Sequence, residues 1–190
     1  MSYTRFDRFV GTLRFRAAVP HIRPGSRVCD IGCGFGAEFL RRLEGHIGFS
    51  VGLDYQALQR YSDNHLVRCD ITRGLPLRSG QFDHAVMLAV FEHLGNPRPI
   101  LQESFRILAT GGSLIMTWPQ PVVDPFLNVL HTLGFVSKEM ESEMHQERMP
   151  LAKIISMLAD IGFERPCHRK FEFGLNNLLV CYKASSMVFS

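Results

Sequence analysis

Apolar residues recur along this chain in two alternating rhythms. Short, nearly continuous apolar runs read as strands: "RVCDI" (27–31), "FSVGLD" (49–54), "HLVRCD" (65–70), "HAVMLAVF" (84–91) and "SLIMTW" (113–118). Stretches of helical spacing lie between them. "AEFLRRLEG" sets Phe39, Leu40 and Leu43 on one face and ends at Gly45, and "YQALQRYS" reads as a short helix. "NPRPILQESFRILATGG" opens on prolines, aligns Ile100, Leu101, Phe105 and Leu108, and stops at paired glycines. "HAVMLAVF" is apolar at nearly every position, as suits a strand covered on both faces of a parallel sheet.

This β-α-β rhythm predicts a doubly wound α/β sheet, with ligands bound beyond the carboxyl ends of the strands. Asp30, Asp54, Asp70 and the Leu88–Phe91 region all fall at such ends. After the fifth strand the rhythm changes. "DPFLNVLHTLG" and "SKEMESEMHQER" make an inserted helical region over 124–147, and "LAKIISMLADIG" a further helix. "CHRKFEF" and "NNLLVCYKA" then form a closing antiparallel hairpin around a "GL" turn.

Composition narrows the class. At 190 residues and 46% hydrophobic content, the chain suits a single domain with a sizeable core. The net charge of +3 is too small to demand a nucleic-acid partner. No apolar run reaches a membrane span, and "MSYTRFDRFVG" has no secretory apolar region, so a cytoplasmic protein is expected. The five cysteines form no CxxC pair and lie mostly in apolar contexts, which reads as buried thiols and no metal site.

The chemistry concentrates in "RVCDIGCGFG". By itself "GCGFGA" satisfies G-x-G-x-x-G/A, and Asp54 lies where an acid would grip ribose hydroxyls, so a nicotinamide or flavin dinucleotide is allowed. Asp30 argues otherwise. A carboxylate about 4 Å from a pyrophosphate costs roughly 4 kcal/mol at an effective dielectric near 20, and a cation there gains a comparable amount. S-adenosylmethionine offers an ammonium to Asp30, a carboxylate to the loop amides, a ribose diol to Asp54 and an adenine amino group to Asp70.

The stretches "VCDIGCGFG", "GLD", "CDITRGLPLRSGQFDHAVMLAVFEHL" and "ILQESFRILATGGSLIMTWP" resemble, in order over about residues 26–119, the motifs of class I S-adenosylmethionine-dependent methyltransferases, the type 11 set above all. The resemblance implies a Rossmann-like seven-stranded sheet, mostly parallel with its last strand antiparallel. It implies that Asp30, Gly32, Cys33, Gly34 and Gly36 line the methionine end, Asp54 and Tyr55 the ribose, Asp70 and Ile71 the adenine, and Leu88 and Ala89 the sulfonium side. S-adenosylhomocysteine would be the product. Phe35 departs from the family's usual small or hydroxylated residue, and Cys29 from an aliphatic one.

A base for the acceptor is sought after the fourth strand. His93 titrates near neutrality and is the candidate, while Glu92 is read as bonding to backbone or to Arg106. The resemblance implies methyl transfer to a small-molecule or a lipid- or sugar-linked acceptor. A regulatory subunit that binds the cofactor without turnover, and a nicotinamide oxidoreductase, are the alternatives. The arginine-rich segment 1–25, helical with Phe6, Phe9, Val10, Leu13 and Ala17 on one face, is read as a lid, an anionic-acceptor contact, a membrane-surface helix or simply a docked helix. The 124–147 region is where acceptor specificity is expected.

Overall fold

The computed structural model of the chain describes residues 5–56, 65–120 and 149–184. Helix α1 (Arg5–Ala18) leads through a single tight turn into β1 (Arg27–Ile31). Then follow α2 (Glu38–Arg42), β2 (Phe49–Asp54), β3 (His65–Arg68), β4 (Phe82–Leu88), α3 (Arg98–Ile107) and β5 (Leu108–Pro119). The described chain closes with α4 (Leu151–Ile161), β6 (Phe163–Phe171) and β7 (Asn176–Lys183). The inserted region over 124–147 and most of "YQALQRYS" lie outside the described residues.

The seven strands form one sheet in the order β3-β2-β1-β4-β5-β7-β6. Strands β1 to β5 pair in parallel, and β7 runs antiparallel to both β5 and β6. Strand β7 alone is reversed, as the resemblance implied. The strand order reverses direction at β1/β4, and the crevice beyond the carboxyl ends there is the natural ligand position.

Side chains alternate across the sheet and divide the core in two. Ala85 and Met87 of β4 face α3 and α4, joining Leu101, Ile107, Ile154 and Leu158. Val86, between them, faces the other layer with Val28, Ile115, Ala18 and Leu40. The docked end of α1 is held by Ala17 and Ala18, both buried, and by the Phe15 ring 5.4 Å from that of Phe39. Leu40 and Leu101 are fully buried, and truncating either to Ala would cost about 2–5 kcal/mol.

Several elements differ in extent from the sequence pattern. Helix α2 is short because Ala37 enters it in the left-handed region and Gly45 ends the segment at φ 76°. Strand β5 begins at Leu108 rather than after the glycines. The register shift between Phe82 and His84 accommodates the extra residues, and Gly112 is required because a Cβ there would sit 2.9 Å from the Ala109 carbonyl. Strand β6 likewise starts at Phe163, through "ERP", with a bulge between Glu164 and Cys167. Cys167 is exposed, unlike the buried Cys29 and Cys181. Among the described residues no helix is long and apolar enough to cross a membrane.

At the amino edge of the sheet, His84 on β4 is buried and fully used. Its Nε2 accepts from the Arg23 amide at 3.2 Å, so Nδ1 carries the proton and donates to Ser113 Oγ at 2.7 Å. Burial first, then the nearby Arg23 charge, hold its pKa down to about 4.

Candidate functional site

The glycine turn after β1 is pinned to the end of β2. The amides of Gly32 and Cys33 both donate to the Leu53 carbonyl, at 2.8 and 3.1 Å. The Gly34 amide donates to Asp54 Oδ2 at 2.8 Å, while Asp54 Oδ1 takes the Gln56 amide at 3.0 Å. Asp54 therefore organises the loop as well as ending its strand. Each carboxylate oxygen retains a lone pair, enough to receive a diol.

Two of the glycines are demanded for different reasons. Gly32 has φ 77°, and a Cβ there would lie 2.4 Å from Val90 Cγ2, so the turn presses against the segment leaving β4. Gly34 has φ 71°, and a Cβ there, as at Gly36, would meet nothing within 4 Å. The turn is thus closed below and open above, the shape of a backbone cradle.

Asp30 sits at the floor of that cradle, 2% exposed, on the β1 end between β2 and β4. Burial, and then the charge of Asp54, push its carboxyl up to about 7. A desolvated acid beside a second acid gains most from an incoming cation.

The remaining residues divide. Cys33 turns inward: its Sγ lies 2.8 Å from where a Gly52 Cβ would be, and burial with the charges of Asp30 and Asp54 pushes its thiol up strongly. It offers the cradle only its backbone. Tyr55 is exposed beyond Asp54, its carbonyl taking Arg68 Nε at 3.0 Å. Asp70 is exposed and caps a short turn, accepting from the Thr72 amide at 3.0 Å and Oγ1 at 2.6 Å, with Arg73 at 3.2 Å. These bonds hold its carboxyl below the usual range. Half-buried Ile71 follows it and packs on the core. Asp70 and Ile71 border an open groove of about 780 Å³ that continues along Thr72, Arg73, Pro99 and Gln102. The groove adjoins the adenine end assigned from sequence and does not include Asp30 or Asp54.

Leu88 and Ala89 end β4 half-buried, Ala89 in the left-handed region at φ 57° with its amide on the Thr117 carbonyl at 3.0 Å. That bend sends Val90 toward Gly32. His93 is exposed on the next turn, Phe91–His93. Both Glu92 carboxylate oxygens are shielded from solvent. The Arg106 partner expected for Glu92 is engaged elsewhere, with Glu103 at 2.7 Å and the carbonyls of Leu75 and Leu77. Arg106, on α3, thereby ties down the β3–β4 connection, which Glu103 also closes through the Leu75 amide.

Sequence reasoning missed Val90, whose packing on Gly32 shapes the cradle, and the groove beside Asp70. Val90 carries no sequence signal beyond its place after a strand. Phe35 was visible as an odd bulky residue in a glycine loop, and the structure leaves it exposed over the turn. Among the described residues, no three His, Cys, Asp or Glu side chains gather as metal ligands.

Residues 29–116 match the family model described as a methyltransferase domain. Over that segment the chain is similar to the class I S-adenosylmethionine-dependent methyltransferases. It is 31% identical over 132 residues to a Mycolicibacterium smegmatis protein named as an S-adenosylmethionine-dependent methyltransferase, covering 63% of this chain and 50% of that one. It is 30% identical over 117 residues to a Dictyostelium discoideum protein named "Probable 18S rRNA (guanine-N(7))-methyltransferase", covering 52% of this chain and 40% of that one. The chain thus spans about half or less of the length of these curated relatives. The fold is shared with the S-adenosylmethionine-dependent methyltransferase of Mesorhizobium loti, at TM-score 0.70 and 16% identity over 91% of this chain and 99% of that one. S-adenosylmethionine is the family's cofactor, and the open cradle over a desolvated acid fits its zwitterionic end.

Proposed function

We propose that this protein transfers the methyl group of S-adenosylmethionine to an acceptor nucleophile. The observation that carries the reading is Asp30, buried beside a second acid at the strand end from which the open glycine turn leaves. S-adenosylmethionine supplies an activated methyl on a sulfonium. The chain's part is to bind and orient. Asp30 takes the ammonium, the Gly34–Gly36 backbone faces the carboxylate, Asp54 and Tyr55 hold the ribose, and Asp70 with Ile71 borders the adenine. Leu88 and Ala89 flank the sulfonium side and exclude water there. Holding the nucleophile close and in line supplies most of the rate. His93 is the group that takes a proton from an acceptor that must lose one.

The acceptor has two readings. A small-molecule or lipid- or sugar-linked acceptor accords with the modest net charge of +3. An RNA nucleotide is supported by relatives named as tRNA and rRNA methyltransferases. The 124–147 region is assigned to acceptor specificity, and the cytoplasm is the proposed compartment.

Calorimetry with S-adenosylhomocysteine and with NADH tests the cofactor: the first is expected to bind and the second not, and tight NADH binding alone would sink the reading. Incubation with methyl-labelled donor and separate metabolite, lipid and RNA fractions then reads the acceptor. Label in no fraction, with donor binding intact, would make this a cofactor-binding subunit without turnover.

A further inference from the structure

The positive charge of this chain is concentrated. The net charge is only +3. Yet α1 carries four arginines against one aspartate, and β6 carries Arg165, Arg169 and Lys170 against Glu164, so the rest of the chain is net negative. The fold joins the two segments. Arg169 Nη2 donates to the Ala17 carbonyl at 3.0 Å across 152 residues of chain, and Arg14 Nε donates to Asn176 Oδ1 at 3.4 Å. Arg16, Arg165, Arg169 and Lys170 are all exposed.

Strand β6 ends the sheet, and among the described residues its outer edge is unpaired. It is a poor template for a further strand. Arg165 has φ 50°, the ladder shifts register between Glu164 and Cys167, and Pro166 has no amide to donate. The edge offers charged side chains rather than a continuous row of hydrogen bonds.

Its carboxyl end matters most. Strand β6 points the same way as β1 to β5, so Arg169, Lys170 and the turn after them lie at the edge where Asp30, Asp54 and Ala89 also lie. In that turn Glu172, Phe173 and Gly174 have φ 53°, 55° and 85°. Two successive non-glycine residues in the left-handed region are strained, and the second of them, Phe173, is fully exposed, at 105%. The turn is anchored by the Gln120 amide on the Leu175 carbonyl at 2.7 Å. Its acid, Glu172, is occupied by Asn176. A phenyl ring left in water in the turn that follows Arg169 and Lys170 does nothing for the core. Aromatic faces that stack bases, set among cations that track phosphates, are the chemistry of single-stranded nucleic-acid binding.

We propose that the α1–β6 ridge, with Phe173 at its tip, docks an unpaired RNA segment and presents its bases to the carboxyl edge of the sheet. Arginine predominates, and its planar fork matches phosphate better than lysine's point charge does. A membrane surface fits less well, because one isolated ring among charged neighbours is not an apolar face that could enter a bilayer. The inference gives the RNA-acceptor reading its docking surface. It depends on methyl transfer for its purpose and not for its test.

The test is fluorescence anisotropy of a labelled, unstructured oligoribonucleotide with the full chain and no methyl donor. Wild type is expected to bind, with affinity falling steeply as salt rises. Arg165→Glu/Arg169→Glu is expected to weaken binding and to flatten the log–log salt slope by about one per arginine removed. Because those two side chains also contact Tyr182 and Ala17, Lys170→Glu and Phe173→Ala provide exposed alternatives with unchanged melting curves. Phe173→Ala should lose about fivefold or more in affinity with the salt slope kept. Lys153→Glu, exposed on α4, is the charge-reversal control. Wild type that ignores the oligoribonucleotide, or ridge variants that bind like the control, would overturn the proposal. So would binding of phosphatidylserine vesicles in place of the RNA, lost in the same variants. S-adenosylhomocysteine calorimetry on the same samples keeps this failure separate from failure of the methyl-transfer reading.

Discussion

Asp30 and His84 are both buried ionisable groups on adjacent central strands, two residues apart in the β1–β4 register. Their surroundings differ. His84, at the amino edge, spends both ring nitrogens on Ser113 and Arg23 and stays neutral. Asp30, at the carboxyl edge, lies near a second acid and beside a turn in which side chains added at Gly34 or Gly36 would meet only space. One buried group has its electrostatics resolved by the fold. For the other, we propose that a ligand does so. Burial alone therefore marks neither structure nor function; what distinguishes them is whether the fold supplies the complementary partner.

The sharpest way to break that contrast is Asp30→Asn. It should cost about 2–5 kcal/mol of S-adenosylmethionine affinity by calorimetry, the scale for truncating one partner of a buried charged pair. The same variant should be more stable than wild type. The folded pKa of about 7 lies above the ordinary 3.8, so the folded state binds more protons between those values and stability falls as pH rises through them. The gain for Asp30→Asn should be present above about pH 7, up to about 4 kcal/mol, and absent below about pH 4 in denaturant titrations. A variant no more stable at alkaline pH, with unchanged affinity, would place Asp30 on the structural side of the comparison.

Gly32→Ala should destabilise by about 1–3 kcal/mol through the Val90 clash and the left-handed backbone. Adding Val90→Ala should relieve the clash and recover part of the melting temperature but not all of it. For His84→Ala the expected loss is about 1–3 kcal/mol of stability, since Ser113 Oγ and the Arg23 amide lose their partner, with S-adenosylhomocysteine affinity unchanged. The depressed His84 pKa works in the opposite pH sense to Asp30. Its contribution is present above 6.5 and is lost as pH falls toward about 4, so the variant's stability deficit should narrow over that window. Asp54→Ala should cost about 1.5–3 kcal/mol of cofactor affinity, and an unchanged dissociation constant would remove the ribose assignment. The smallest effect is a proton balance. Binding a cation against Asp30 lowers its pKa, so affinity should rise from about pH 6 to pH 8 and protons should be released, read as heat that varies with buffer.

The central sheet was legible because its strands are continuous apolar runs and its helices carry one apolar face. The hairpin strand was legible only in part. "ERP" reads as a break in isolation, and its place in β6 depends on a bulge against β7. Asp30 and Asp54 were legible as a pair because strand ends and a glycine turn bring such residues to one edge. Asp70 was placed at the correct edge, but its engagement with Thr72 and Arg73 is local capping that competes with any single-ligand role. Glu92 was given backbone or Arg106 as its partner, whereas helical spacing gives Arg106 to Glu103.

What the sequence determined by itself was the strands of the central sheet, the described helices between them and their order, because periodicity is a local property. Tertiary structure alone decided how deeply Asp30 is buried, which side of Gly32 is closed by Val90, and that arginines at opposite ends of the chain share one surface. Each of those is a relation between strands and helices far apart in sequence. Desolvation, close packing and charge density depend on neighbours that only the folded sheet assembles.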